Sequence, residues 1–173
     1  MRNIVLIGFM GCGKTTMGIK LSYKLHRIME DTDKWIERNE GCTIREIFST
    51  KGEEAFRRIE TACIKKMAED PTVRIISTGG GLPVREENWG PLKKLGHVVY
   101  LKISPAEAYD RLKEDTERPL LQCEDPYGRI CELLDKREPL YEACADTVIL
   151  VDGKTVEEVL DEMLTILKEK DVI

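Results

Sequence analysis

Short apolar runs alternate with longer amphipathic stretches along this chain. The runs are rich in Val, Ile and Leu and have the length of buried strands. They lie at residues 4–7, 27–30, 73–77, 98–101 and 147–151. Strands that alternate with helices are typical of a parallel sheet with helices on both faces. The pattern therefore predicts an α/β fold of three layers, α/β/α, with a five-stranded parallel sheet as the central layer. We expect a single domain over residues 1–173.

The intervening stretches carry apolar residues at helical spacing. We predict helices at residues 17–25, 35–38, 44–48, 53–69 and 127–136, another that starts at Pro105, and a closing helix over 156–167. Ser104 is a favoured N-cap residue, and Pro105 suits the first helical position. Pro139 follows the 127–136 segment closely, so we expect that helix to end before Arg137.

The first strand leads into Gly-Phe-Met-Gly-Cys-Gly-Lys-Thr at residues 8–15 and then into a helical pattern. This run matches G-x-x-x-x-G-K-[ST] in the strand–loop–helix context that the motif requires. We expect Gly8, Gly11 and Gly13 to adopt positive φ angles that turn backbone N–H groups around a polyphosphate. The motif predicts a nucleoside triphosphate site, whereas a glycine turn that binds nothing is the alternative.

Two side chains after these glycines have their own chemistry. Lys14 supplies a mobile ammonium, and the Thr15 hydroxyl can bind Mg²⁺. The helix that starts near Lys14 adds the positive end of its dipole. A phosphate loop after the first strand of an alternating chain predicts the core of a P-loop NTPase.

Composition and charge restrict the class of partner. The net charge of −5 over 173 residues argues against a nucleic-acid surface, which needs a basic field. Because no apolar run approaches the length of a membrane span, we expect no membrane partner. The six cysteines form no C-x-x-C pair and accompany only two histidines. We therefore predict reduced thiols in a cytoplasmic protein rather than a structural zinc site, and we expect a monomer.

Polar and glycine residues follow the second and third strands, at the sheet edge where ligands bind. Asp31 and Asp33 come after the second strand, and two carboxylates one residue apart can serve Mg²⁺ and an attacking hydroxyl. Capping of the next helix explains the same residues equally well. Thr-Gly-Gly-Gly at residues 78–81 exposes backbone N–H groups to a ligand, with a flexible turn as the alternative.

Arginine side chains can bind a carboxylate or phosphate through two parallel hydrogen bonds. Arg57 and Arg58 lie on the long helix and Arg137 precedes a proline, but each alone is also consistent with a solvated surface. Arg118 begins an Arg-Pro-Leu-Leu run in a highly charged segment. We expect this segment to be a mobile lid over approximately residues 112–125, with an arginine that neutralises the transferring phosphoryl group.

In this order and over nearly the whole chain, these motifs resemble the shikimate kinase family of small P-loop kinases. They lie at residues 8–15, 31–33, 56–57, 78–81, 118–121 and 137–141. The resemblance implies transfer of the γ-phosphate of ATP to the 3-hydroxyl of shikimate, which gives shikimate 3-phosphate and ADP in the route to chorismate and the aromatic amino acids.

The resemblance also implies roles for individual residues, with a substrate-binding region at approximately residues 31–60. The implied catalytic residues are Lys14, Asp33 and Arg118. The implied ATP contacts are Gly11, Cys12, Gly13, Lys14, Thr15, Thr16, Arg111, Arg118 and Lys154. The implied shikimate contacts are Asp33, Arg57, Gly79, Gly80, Gly81 and Arg137. The implied cofactor is Mg²⁺, held by Thr15 and, through its hydration shell, by Asp31.

Two of these positions are particular to this chain. Lys154 stands where the adenine-side loop of the family often carries an arginine, and Cys12 places a thiol near the phosphates.

Other functions remain open at the level of sequence. Another small-metabolite kinase, such as a gluconate kinase or a nucleoside monophosphate kinase, would share the same core. A regulatory GTPase would read guanine with N-K-x-D, which does not occur in this chain. A catalytically inactive homologue that serves as a binding module is disfavoured by the intact Lys14, Asp33 and Arg118.

Overall fold

The computed structural model describes residues 2–114 and 122–173. In chain order its strands are β1 (Asn3–Ile7), β2 (Ile28–Asp31), β3 (Arg74–Ser77), β4 (Gly96–Lys102) and β5 (Thr147–Leu150). Its helices are α1 (Lys14–Leu25), α2 (Thr32–Glu40), α3 (Ile44–Lys51), α4 (Glu53–Glu69), α5 (Trp89–Leu95), α6 (Pro105–Leu112), α7 (Pro126–Cys144) and α8 (Val156–Glu169). Two 3₁₀ turns, Leu82–Val84 and Glu86–Asn88, precede α5.

The five strands form one parallel sheet in the order β2-β3-β1-β4-β5. The central strand β1 pairs on both sides, so that Ile4 lies opposite Ile75 of β3 and His97 of β4. Because the strands are parallel, their carboxyl ends meet at one edge, and the loops after β1, β2 and β3 come together there. The predicted five-stranded parallel sheet and its layered α/β class are confirmed.

Burial of both sheet faces explains why the strands read as continuous apolar runs rather than alternating patterns. All four residues at positions 4–7 are fully buried, and helices cover them from both sides. The predicted start of α6 is also confirmed, because the Ser104 side chain accepts a hydrogen bond from the Glu107 N–H at 3.2 Å, with Pro105 at the first helical position. Within the described residues, no helix is both long and apolar enough to cross a bilayer.

The prediction that a helix ends before Arg137 is wrong. Helix α7 continues through Pro139 to Cys144, so Arg137 lies inside the helix. A proline in a helix removes one backbone hydrogen bond and crowds the preceding turn. Here the turn beyond Pro139 buries Tyr141 and Cys144 completely, and this packing holds the helix together across the proline. The sequence patterns also left α5 and the two 3₁₀ turns unassigned.

Candidate active site

The phosphate loop has the backbone conformation that its glycines predict. Gly8, Gly11 and Gly13 have φ angles of 144°, 79° and 93°, in the region that other residues rarely adopt. Gly13 is the N-cap residue of α1, and no side chain caps this helix end. The first N–H groups of α1 therefore face the loop without an intrahelical partner, which is the arrangement that binds an anion.

The Lys14 ammonium is held by the loop itself. Its Nζ donates hydrogen bonds to the backbone oxygens of Gly8 at 2.8 Å and Phe9 at 3.0 Å. The buried Cys12 thiol lies 3.7 Å from the same Nζ, beneath the loop. The ammonium is thus kept at the phosphate site, where it can exchange carbonyl partners for phosphate oxygens.

The phosphate loop forms one wall of a cleft of about 470 Å³ at the carboxyl edge of the sheet. The structure brings thirteen of the predicted site residues to this cleft: Gly11, Gly13, Lys14, Thr15, Thr16, Asp31, Asp33, Arg57, Gly79, Gly80, Gly81, Arg111 and Arg137. Met10, Ser77 and Thr78 complete its lining. The predicted lid residue Arg118 lies outside the described residues.

A neighbouring cavity of about 230 Å³ is lined by Cys12 and Lys154, the other two predicted ATP contacts within the described residues. It shares Arg111 and three residues of the phosphate loop region with the main cleft, so the two spaces adjoin. The Lys154 ammonium pairs with the Glu162 carboxylate at 2.5 Å, and Lys154 lines the cavity. Arg111 is held at the boundary, where its Nε pairs with Glu107 at 2.8 Å.

Asp31 and Asp33 have different environments although one residue separates them. Asp31 caps α2, since its Oδ1 accepts hydrogen bonds from the N–H groups of Asp33 at 3.0 Å and Lys34 at 3.3 Å. Oδ1 of Asp33 is buried and has no hydrogen-bond partner among the described residues. Burial, and then the Asp31 charge, raise the pKa of Asp33, while Lys14 and Arg57 oppose the shift. Asp33 thus shares the cleft with Lys14 and Arg57, and one of its carboxylate oxygens is buried without a partner among the described residues.

Arg57 is fixed by a buried carboxylate that the sequence reading did not single out. Its Nη1 donates to Oε2 of Glu60 at 2.6 Å, and Glu60 is 1% exposed. Burial raises the pKa of Glu60 to about 7, against the opposing charge of Arg57. The signal for this residue was present in the sequence, because opposite charges three residues apart on a helix lie on the same face.

The glycine turn after β3 packs closely against Asp33 and Arg57, because its residues carry no side chains. A Cβ on Gly79 would lie 2.9 Å from Oδ1 of Asp33, and a Cβ on Gly81 would collide with the Arg57 guanidinium. The Gly79 N–H also donates to the hydroxyl of buried Thr32 at 3.0 Å, which ties the turn to the start of α2. The turn is therefore a close-packed surface rather than a flexible connection.

A divalent cation has suitable ligands beside the phosphate loop. Thr15 and Asp31 both line the cleft. No cluster of three or more His, Cys, Asp or Glu side chains occurs in the part of the chain that the structure describes. Mg²⁺ in kinase sites is bound by one or two protein ligands together with phosphate oxygens and water, so a hydroxyl and one carboxylate fit it.

Comparisons with known proteins agree with this geometry. A family model described as Shikimate kinase matches residues 10–168. A curated shikimate kinase of Thermodesulfovibrio yellowstonii is 48% identical over 164 residues, which cover 95% of this chain and 94% of the relative. One from Caldanaerobacter subterraneus subsp. tengcongensis is 44% identical and covers 95% of both chains.

Solved structures give the same result. A shikimate kinase from Acinetobacter baumannii in complex with shikimate superposes with a TM-score of 0.89 at 35% identity, covering 100% of this chain and 96% of the other. A shikimate kinase from Aquifex aeolicus has a TM-score of 0.84 at 38% identity, and the match covers 99% of both chains.

Proposed function

The chain belongs to the shikimate kinase family and is an ATP-dependent phosphotransferase that acts on a hydroxyl of shikimate, and from this premise we propose the hydroxyl and the residues that carry out the reaction. The product is shikimate 3-phosphate. Asp33, Arg57 and Arg137 face the phosphate loop across one cleft, and this observation carries the proposal.

The donor side is the phosphate loop. Its N–H groups, the start of α1 and Lys14 bind the triphosphate and stabilise the charge on the transferring group. Thr15, together with Asp31 through water, would hold Mg²⁺, which supplies charge neutralisation between the phosphates when bound. The cavity lined by Lys154 takes the base of the nucleotide, since it adjoins the loop away from the acceptor residues.

The acceptor side recognises an acid with hydroxyl groups. Arg57 and Arg137 bind the carboxylate of shikimate, because two guanidinium groups give the bidentate hydrogen bonds that a carboxylate accepts. N–H groups of the Gly79–Gly81 turn add contacts to the substrate. The Asp33 carboxylate, which lines the cleft, accepts the hydrogen bond of the 3-hydroxyl and takes its proton as the oxygen attacks the γ-phosphate and ADP leaves.

Three further proposals rest on sequence more than on geometry. Arg118 neutralises the transferring phosphoryl group from a lid over approximately residues 112–125, a role supported by the Arg-Pro-Leu-Leu run alone. The enzyme acts as a single-domain monomer. A reducing compartment such as the cytoplasm suits a chain whose six cysteines are all free thiols.

The position of the transferred phosphate tests the proposal. The enzyme is incubated with ATP, Mg²⁺ and shikimate, and the product is examined by two-dimensional ¹H–³¹P NMR. We expect a single phosphorus coupled to the proton on carbon 3. Coupling to the proton on carbon 4 or carbon 5 would mean that the Asp33 carboxylate receives a different hydroxyl than proposed.

A further inference from the structure

Tyr141 connects α7 to the glycine turn on the acceptor side of the cleft. Its side chain is fully buried, and its hydroxyl donates a hydrogen bond to the carbonyl oxygen of Gly80 at 2.7 Å. The two residues are 61 positions apart in sequence, so this bond joins α7 to the loop after β3. None of the roles described above uses this hydroxyl.

The bond fixes the orientation of a peptide that lines the cleft. The Gly80–Gly81 peptide is trans, since the described chain has no cis peptide bonds, and in a trans peptide the C=O and the following N–H point in opposite directions. With the Gly80 carbonyl held toward Tyr141, the Gly81 N–H points away from it. Glycines have wide conformational freedom, so the Tyr141 bond adds to the restraint that the Leu82 N–H supplies by donating to the Gly79 carbonyl oxygen at 3.2 Å.

The charge of Arg137, one of the two arginines proposed to bind the substrate carboxylate, acts on the same hydroxyl. Arg137 is four residues before Tyr141 in α7, on the same face of the helix. A phenol donates one hydrogen bond and can accept others, so the hydroxyl can donate to Gly80 and accept from a guanidinium together. Burial raises the pKa of Tyr141 to about 12, and the Arg137 charge opposes this shift, which is consistent with their proximity.

The Tyr141 ring is held in place by a second tyrosine. It packs on Tyr100 of β4 with ring centroids 5.1 Å apart, in the tilted arrangement that aromatic pairs favour. Tyr100 is fully buried, and its hydroxyl has no hydrogen-bond partner among the described residues. The two tyrosines therefore differ in one respect. The hydroxyl of Tyr141 bonds to a residue that lines the cleft, whereas the hydroxyl of Tyr100 does not.

We propose that Tyr141 is a positioning residue for shikimate, because its hydroxyl sets the Gly80–Gly81 peptide in the orientation that receives the substrate. This inference rests on the proposed acceptor side of the cleft. Tyr141 does not touch the reacting atoms, so it acts on substrate binding more than on phosphoryl transfer.

The Tyr141→Phe variant tests this role, with Tyr100→Phe as the matched control. Phenylalanine keeps the ring and its packing but leaves the partly buried Gly80 carbonyl without this donor, which raises the KM for shikimate roughly tenfold. The KM for ATP and kcat change by less than about twofold, since the hydroxyl contributes to acceptor binding alone. Tyr100→Phe removes a phenol of the same pair and leaves all three constants unchanged.

A second readout separates positioning from folding. Each protein is heated with and without saturating shikimate, and we expect a smaller shikimate-induced rise in Tm for Tyr141→Phe than for the wild type and Tyr100→Phe. A lower Tm with an unchanged KM and an unchanged shikimate-induced rise would overturn the positioning role. An equal rise in KM in both variants would assign the effect to ring packing and overturn it too. Absence of shikimate-dependent turnover in the wild type would refute the proposed function itself.

Discussion

Arg57 and Glu60 form a buried ion pair across one turn of α4, with Nη1 and Oε2 2.6 Å apart. The pair joins a predicted substrate ligand to a carboxylate that is almost inaccessible to solvent, at 2% of its side-chain surface. Burial disfavours the ionised carboxylate, whereas the guanidinium favours it, and the balance raises the pKa of Glu60 to about 7. We therefore expect the charge of the proposed acceptor site to change near neutral pH.

This relationship predicts a pH-dependent stability. Folded Glu60 keeps its proton up to about pH 7, whereas the unfolded chain releases it near 4.5, so ionisation destabilises the fold across that window. As the pH rises from about 4.5 to about 7, the free energy of unfolding of the wild type should fall by about 3 kcal/mol relative to that of Glu60→Gln. Urea unfolding at a series of pH values measures it, with exposed Glu69→Gln as the control. A difference that stays constant with pH would contradict the raised pKa.

Removal of either arginine of the clamp should weaken acceptor binding. We expect Arg57→Ala or Arg137→Ala to raise the KM for shikimate by roughly 10- to 100-fold, because each loses charge-assisted hydrogen bonds to the carboxylate. The KM for ATP should change little. Arg58→Ala is the matched control, since Arg58 is adjacent but exposed. If the KM for shikimate were unchanged in both clamp variants, neither arginine could bind the carboxylate.

The close approach of Gly81 to Arg57 predicts the effect of a single methyl group. Gly81 has a φ of −86°, so alanine fits the backbone, but its Cβ would displace the Arg57 guanidinium. We expect Gly81→Ala to raise the KM for shikimate about tenfold, because the guanidinium must leave the position that it holds beside Glu60. Gly90→Ala, which meets nothing within 4 Å, is the control. An unaltered KM in Gly81→Ala would show that Arg57 does not need its present position.

Lys14 should act mainly on turnover. Its ammonium is already held at the loop by the Gly8 and Phe9 carbonyls, in reach of a bound triphosphate. We expect Lys14→Ala to lower kcat by roughly 100-fold or more, since preorganised charge at a reacting group has effects of that size. Steady-state ADP release measures it, with exposed Lys24→Ala on the same helix as the control. Retained kcat with a raised KM for ATP would assign Lys14 to binding alone.

Local patterns were sufficient for most of the fold. The strands are continuous apolar runs because the sheet is buried on both faces, and the phosphate loop is defined by glycines whose positive φ angles the sequence predicts. The carboxyl edge of a parallel sheet then brings the loops after β1, β2 and β3 together. The strand order along the sequence was therefore enough to predict residues 31–33 and 78–81 as candidate site residues.

The remaining features depend on contacts that are distant in sequence. Helix α7 crosses Pro139 because Tyr141 and Cys144 are buried beyond it, and no local rule reports that packing. For both Asp31 and Asp33, the sequence was equally compatible with helix capping and with ligand binding. Only the geometry shows that Asp31 caps α2, whereas Oδ1 of Asp33 has no hydrogen-bond partner among the described residues.

Acceptor-dependent ADP release tests the central claim most directly. The purified enzyme is assayed with ATP and Mg²⁺ in parallel reactions that contain shikimate, gluconate, AMP or no acceptor, through a coupled assay for ADP. We predict rapid ADP release with shikimate and the background rate of the acceptor-free reaction in the others. Background release with shikimate, combined with turnover on gluconate or AMP, would contradict the assignment of the cleft to shikimate.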